Sequence, residues 1–139
     1  MIQDTNNPAA NFFADAEVIS RYTRAQALAD GVLKDAGATA REAGIKFPVA
    51  LTQAAWDSYV TVPEGLGCQD EDGRLWDIVY MFAQAAKRSR GGSRITFELF
   101  VRNSKRQRLD RRDMVTLEAN IGPGDTAAPV ITIGLIGED

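Results

Sequence analysis

The sequence predicts an α+β fold. Short N-terminal helices and one longer amphipathic helix pack on a three-stranded antiparallel C-terminal sheet. Three observations carry this expectation. Leu75, Ile78, Val79, Phe82 and Ala86 recur at the three-to-four spacing of one helical face. From Ile95 onward the pattern changes to period two, with Ile95, Phe97, Leu99 and Val101 alternating with Arg94, Thr96, Glu98 and Arg102. Val115, Leu117, Ala119 and Ile121 form a second such set, and Ile131, Ile133 and Leu135 a third. Gly122-Pro123-Gly124-Asp125 between the last two is turn chemistry.

The elements follow in order. The first 16 residues are expected to be a flexible segment, because Asp4-Thr5-Asn6-Asn7-Pro8 is polar and ends in a helix breaker. The remainder, 17–139, reads as one domain. Thr23 and Gln26 have the spacing of a capping box, so a short helix is predicted over 23–30, with Gly31 as its stop. Val32 and Leu33 form a buried extended step or turn. A second short helix covers 36–43 and ends at Gly44. The stretch 45–51 is β-like, and Pro48 inside it points to an edge strand or a link. Thr52 caps a third helix over 53–59. The loop 62–73 leads into the long helix, which Asp72 is expected to cap. Asp70 and Glu71 match its positive end, and Lys87, Arg88 and Arg90 its negative end. Gly91-Gly92 then stops it. The long helix is the natural cover for the apolar face of the sheet.

The composition restricts the chemistry. The chain has 139 residues, 45% of them hydrophobic and 25% charged, as in soluble globular domains. It has no histidine and one cysteine. Within one chain this excludes a Ser-His-Asp or Cys-His pair, a Cys/His zinc site and a disulfide. The start of the chain lacks the basic and apolar stretches of a secretory signal, and no run approaches a membrane span. A cytoplasmic protein with no membrane partner is the expectation.

The net charge of −3 conceals an uneven distribution. The 26 residues 87–112 hold ten of the sixteen Lys and Arg residues and only two acids, a local charge of +8. The rest of the chain carries −11. Five of the ten lie in the connection 103–113, which is longer than the two to five residues usual in a hairpin. A basic hairpin over about 102–112 is therefore the candidate contact surface, for nucleic acid or for an acidic protein partner. Its residues are Arg102, Lys105, Arg106, Arg108, Arg111 and Arg112, and Arg88, Arg90 and Arg94 extend the surface. Arginine outnumbers lysine, which suits bidentate contacts with phosphate or carboxylate. Two other readings stand beside this one. The hairpin tip is solvated and its charge guards a sheet edge, or the basic arm folds onto the protein's own acidic loop. Aromatic residues that could stack on bases are scarce, with Phe100 alone on the outer face.

Other constellations are weaker. Glu64, Asp70, Glu71, Asp72 and Asp77 cluster near the long helix, and a small enzyme or a metal-binding protein built on these acids is the alternative function. An EF-hand fails, because its first and twelfth positions would be Cys68 and Val79. Helix capping and dipole matching explain the acids more simply. Cys68 has no neighbour that would lower its pKa. Arg90-Gly91-Gly92 reads as a helix end, and Trp56 and Trp76 as core or helix–sheet contacts. No catalytic residue, metal or cofactor is assigned.

Several stretches carry a resemblance. They are Tyr22-Thr23-Arg24-Ala25-Gln26-Ala27, Asp30-Gly31-Val32-Leu33 and Ala40-Arg41-Glu42-Ala43-Gly44. Pro48-Val49-Ala50-Leu51-Thr52 and Gly73-Arg74-Leu75-Trp76-Asp77 follow, then Ile121-Gly122-Pro123-Gly124-Asp125 and Pro129-Val130-Ile131-Thr132-Ile133. In this order they resemble a family of short, uncharacterised bacterial proteins often found on plasmids and other mobile elements. The resemblance implies a bacterial or phage setting and an accessory role, such as interference with host defence or plasmid maintenance. It implies no activity and no site residue.

Overall fold

The computed structural model describes residues 22–67, 69–104 and 109–138. The expected flexible segment 1–16, Cys68, and the site residues Lys105, Arg106 and Arg108 lie outside the described residues.

Helix α1 (Arg24–Asp30) forms where the capping box places it. Thr23 accepts from the Gln26 N–H, and the Gln26 side chain accepts from the Thr23 N–H. Gly31 ends the helix at φ 80°, a left-handed conformation that a Cβ would oppose. Strand β1 (Leu33–Asp35) follows, with Val32 exposed ahead of it rather than buried. Helix α2 (Gly37–Glu42) leads to strand β2 (Val49–Thr52) and helix α3 (Gln53–Tyr59). Thr52 caps α3 by accepting from the Ala55 N–H.

The long helix α4 (Glu71–Arg88) is capped by Asp70, not Asp72. Asp70 has extended dihedrals and accepts from the Gly73 N–H, whereas Glu71 and Asp72 already lie in the first turn. Leu75, Ile78, Val79 and Phe82 are buried, and Ala86 packs at the margin of the core. Strands β3 (Arg94–Phe100), β4 (Met114–Pro123) and β5 (Pro129–Leu135) make the expected antiparallel meander.

The sheet itself is larger than the sequence predicts. It is mixed and five-stranded, in the order β1-β2-β5-β4-β3. β2 pairs parallel with β5 and antiparallel with β1, so it is an interior strand and not an edge. The physical reason is burial on both faces. Val49, Ala50 and Leu51 are each no more than 1% exposed, so the strand shows a short apolar run instead of an alternation. Pro48 is tolerated because it precedes the strand, where its carbonyl accepts from the Ile131 N–H. β1 is only three residues long and shows no period.

The core lies between α4 and the inner face of the sheet. Phe82, Leu51, Ile78, Leu117 and Ile133 are almost wholly buried, each contributing about 1.5–3 kcal/mol before chain entropy is subtracted. Phe82 meets Phe97 edge to face, with ring centres 5.9 Å apart. Trp56 packs against this core as expected. Trp76 instead stacks on Tyr80 along α4 itself, with ring centres 5.8 Å apart.

Candidate binding surface

The surface is built outward from a buried arginine. Arg74 lies on the apolar face of α4, one turn before Ile78, and is 5% exposed. Its Nε donates to the carbonyls of Tyr59 and Val60 at the end of α3, at 3.0 and 3.2 Å. Its Nη1 donates to the Arg102 carbonyl at 2.7 Å, and its Nη2 to Asn103 Oδ1. Asn103 Nδ2 in turn donates to the Ser58 carbonyl at 2.9 Å. Burial pulls the pKa of the Arg74 guanidinium down. The group has five donors and keeps its charge. The result is a clamp that joins α3, α4 and the first residues of the basic connection.

The far side of the connection is also built. Asp110 and Asp113 form a reciprocal capping box around a single 3₁₀ turn, Arg111–Asp113. Asp113 is 5% exposed and accepts from the Asp110 N–H at 2.9 Å. The Val101 N–H donates to the Asp113 carbonyl at 2.8 Å, extending the β3–β4 ladder past both strands. Arg111 and Arg112 therefore stand on an ordered turn. Arg112 forms an ion pair with Asp110 at 2.7 Å, and this hydrogen bond raises its pKa. Asp110 belongs to the basic segment itself, so this pair is a local contact within the turn.

The six described residues of the predicted site do not form one patch. Arg102, Arg111 and Arg112 lie at the end of β3 and the start of β4. Arg88, Arg90 and Arg94 lie at the opposite end of β3, where α4 stops and the strand begins. The seven residues of β3 separate the groups by about 20 Å at ~3.3 Å per residue. Arg88 and Arg94 instead line a depression of about 640 Å³ along β3, with Met81, Ala85 and Glu98. Arg94 also faces Glu118 at 3.6 Å.

An apolar pair sits beside the first group. Phe100 and Met114 are register partners at the end of the β3–β4 ladder, 47% and 40% exposed. Leu109, within the connection, is 43% exposed.

Residues 9–139 match a family described as a family of unknown function, DUF6573. The chain belongs to the DUF6573 family. No curated protein and no solved structure matches it.

In this DUF6573 chain the acids proposed for an alternative site do not converge. Glu64, Asp70, Glu71, Asp72 and Asp77 are all exposed, and Arg74 turns away from them toward main-chain carbonyls. Among the described residues no three His, Cys, Asp or Glu side chains are grouped to hold a metal ion. No described helix is long and apolar enough to cross a membrane.

A second clamp has no local signature in the sequence. The carboxylate of Asp125 accepts from the N–H groups of Arg24 and Ala25, at 2.7 and 3.0 Å, at the start of α1. Arg24 reaches back to Thr132 Oγ1 and the Ile131 carbonyl, at 2.7 and 2.9 Å. Burial lowers the Arg24 pKa, and Asp125 and Asp35 oppose that shift. The Gly-Pro-Gly-Asp stretch is thus more than a turn. Gly122 and Pro123 continue the ladder opposite Val130 and Pro129, and Asp125 docks α1.

Proposed function

We propose that this protein is a non-enzymatic binding protein whose basic connection, about 102–112, docks on an acidic protein surface. The exposed Phe100–Met114 pair, at the foot of the arginine-bearing segment, carries the choice of partner. An apolar centre beside a charged rim is the make-up of a protein interface. A phosphate backbone would use the arginines alone and leave the apolar pair unused. The Arg74 clamp and the Asp110–Asp113 turn favour the same reading, because they fix both roots of the arm and reduce the entropy lost on docking. The resemblance to proteins of bacterial mobile elements supports an accessory role there, such as interference with host defence.

The test is affinity capture from a bacterial lysate with and without nuclease, comparing the native chain with an Arg106→Glu/Arg108→Glu/Arg111→Glu variant. Capture of an acidic protein by the native chain alone supports the proposal. Loss of all capture on nuclease treatment transfers it to nucleic acid, and unchanged capture by the variant rejects both.

A further inference from the structure

β3 is the outermost described strand on its side of the sheet. The ladder fixes which of its polar groups are free to pair. The Ile121 N–H donates to the Ser93 carbonyl, and the Val101 N–H to the Asp113 carbonyl. Ser93 and Val101 are therefore hydrogen-bonded positions of the β3–β4 pair. By the period of two, so are Ile95, Phe97 and Leu99. Arg94, Thr96, Glu98 and Phe100 consequently direct their N–H and C=O groups away from β4, toward the edge on which no described strand lies.

The sequence of this edge is complementary to itself. An antiparallel copy centred on Thr96 sets Arg94 opposite Glu98 of the second copy, and Glu98 opposite its Arg94. Thr96 then meets Thr96 on the outer face, and Ile95 meets Phe97 on the core face. Other symmetric registers lack this match. Centring on Phe97 sets Arg94 opposite Phe100, and centring on Glu98 sets the two Glu98 carboxylates against each other. Opposite charges directly across a ladder stabilise it, and like charges oppose it.

We infer that β3 pairs with β3 of a second copy about a two-fold axis at Thr96, joining two sheets into one. Such an interface is isologous, the commonest form among homo-oligomers. Arg94 then stands between Glu118 of its own chain, already 3.6 Å away, and Glu98 of the second copy. The charges on this edge select one partner strand instead of refusing all. Phe100 falls opposite Gly92 at the end of the ladder, so the contact adjoins the proposed docking surface but uses none of the arginines of its connection.

Sedimentation of the full-length chain over a wide concentration range tests this. A dimer that dissociates on dilution is expected. Arg94→Glu and Glu98→Arg should each weaken self-association about tenfold or more, because two attractive pairs become repulsive. An equimolar mixture of the two variants should recover the dimer, since each chain then supplies the charges the other lacks. A monomeric native chain, or a mixture that stays monomeric while both variants are folded, overturns the inference. Hydrogen exchange on the native chain provides a reading that does not depend on the variants folding. The Arg94, Thr96 and Glu98 amides should be protected in concentrated solution and lose that protection on dilution, and free exchange at both concentrations also overturns it.

Discussion

Arg74 Nη1 donates to the Arg102 carbonyl at 2.7 Å, across 28 residues of sequence. The contact fixes the point at which the basic connection leaves β3. A buried guanidinium satisfied by carbonyls and one amide oxygen has little tolerance for replacement. Arg74→Met should leave the Tyr59, Val60 and Arg102 carbonyls without their donor and cost about 3 kcal/mol. Arg74→Lys should recover only part of that loss, because a single ammonium cannot span both sides of the clamp. Urea unfolding midpoints read both values. In hydrogen exchange, residues 102–104 should open before the rest of the sheet in the lysine variant.

Asp125 holds the start of α1 to the β4–β5 turn through two main-chain N–H groups. Asp125→Ala should destabilise the protein by about 1–2 kcal/mol. Asp125→Asn keeps one acceptor and loses the charge facing the helix end, so its cost should be smaller. Thermal melts of the two variants should rank in that order, and equal melting temperatures would show that the carboxylate does not cap the helix.

Gly124 is held by packing. A Cβ there would stand 2.8 Å from Val130 Cγ1. Gly124→Ala should destabilise by about 1–3 kcal/mol, and Gly124→Ala/Val130→Ala should show less than the sum of the single losses. Additive losses in a double-mutant cycle would place the strain elsewhere.

The surface arginines predict a different pattern. Arg111 is exposed on the 3₁₀ turn, so Arg111→Glu should change stability by less than about 0.5 kcal/mol. Arg112→Glu sets a second carboxylate against Asp110, its ion-pair partner at 2.7 Å, and should loosen the turn. Chemical denaturation together with exchange at Asp113 separates the two effects.

The legible parts of this fold were those with a local signature. The capping box at Thr23, the face of α4 and the meander β3-β4-β5 each follow from spacing alone. The sequence of β2 points to an edge or a link because a strand buried on both faces has no alternation to display and Pro48 favours an edge. The basic connection was visible as a charge excess. The separation of the described arginines of 87–112 into groups at opposite ends of β3 was not, because charge along a chain carries no direction in space. Arg74 did leave a signal, an arginine in phase with Ile78 and Phe82 on the apolar face of a helix. Three of the stretches that carry the family resemblance contain Arg24, Arg74 and Asp125, and in each the residue fixes one element on another.

The proposed docking surface joins arginines to an apolar pair, and the two can be separated. The decisive measurement is the dissociation constant for the captured acidic protein, at low and high salt, for the native chain, the Arg106→Glu/Arg108→Glu/Arg111→Glu variant and a Phe100→Ser/Met114→Ser variant. Charge reversal should abolish binding, and the serine variant should weaken it about tenfold or more at both salt concentrations. Native-like affinity in both variants would contradict the assignment of this surface. Weakening by charge reversal alone, with no effect of the serines, would contradict a protein-type interface.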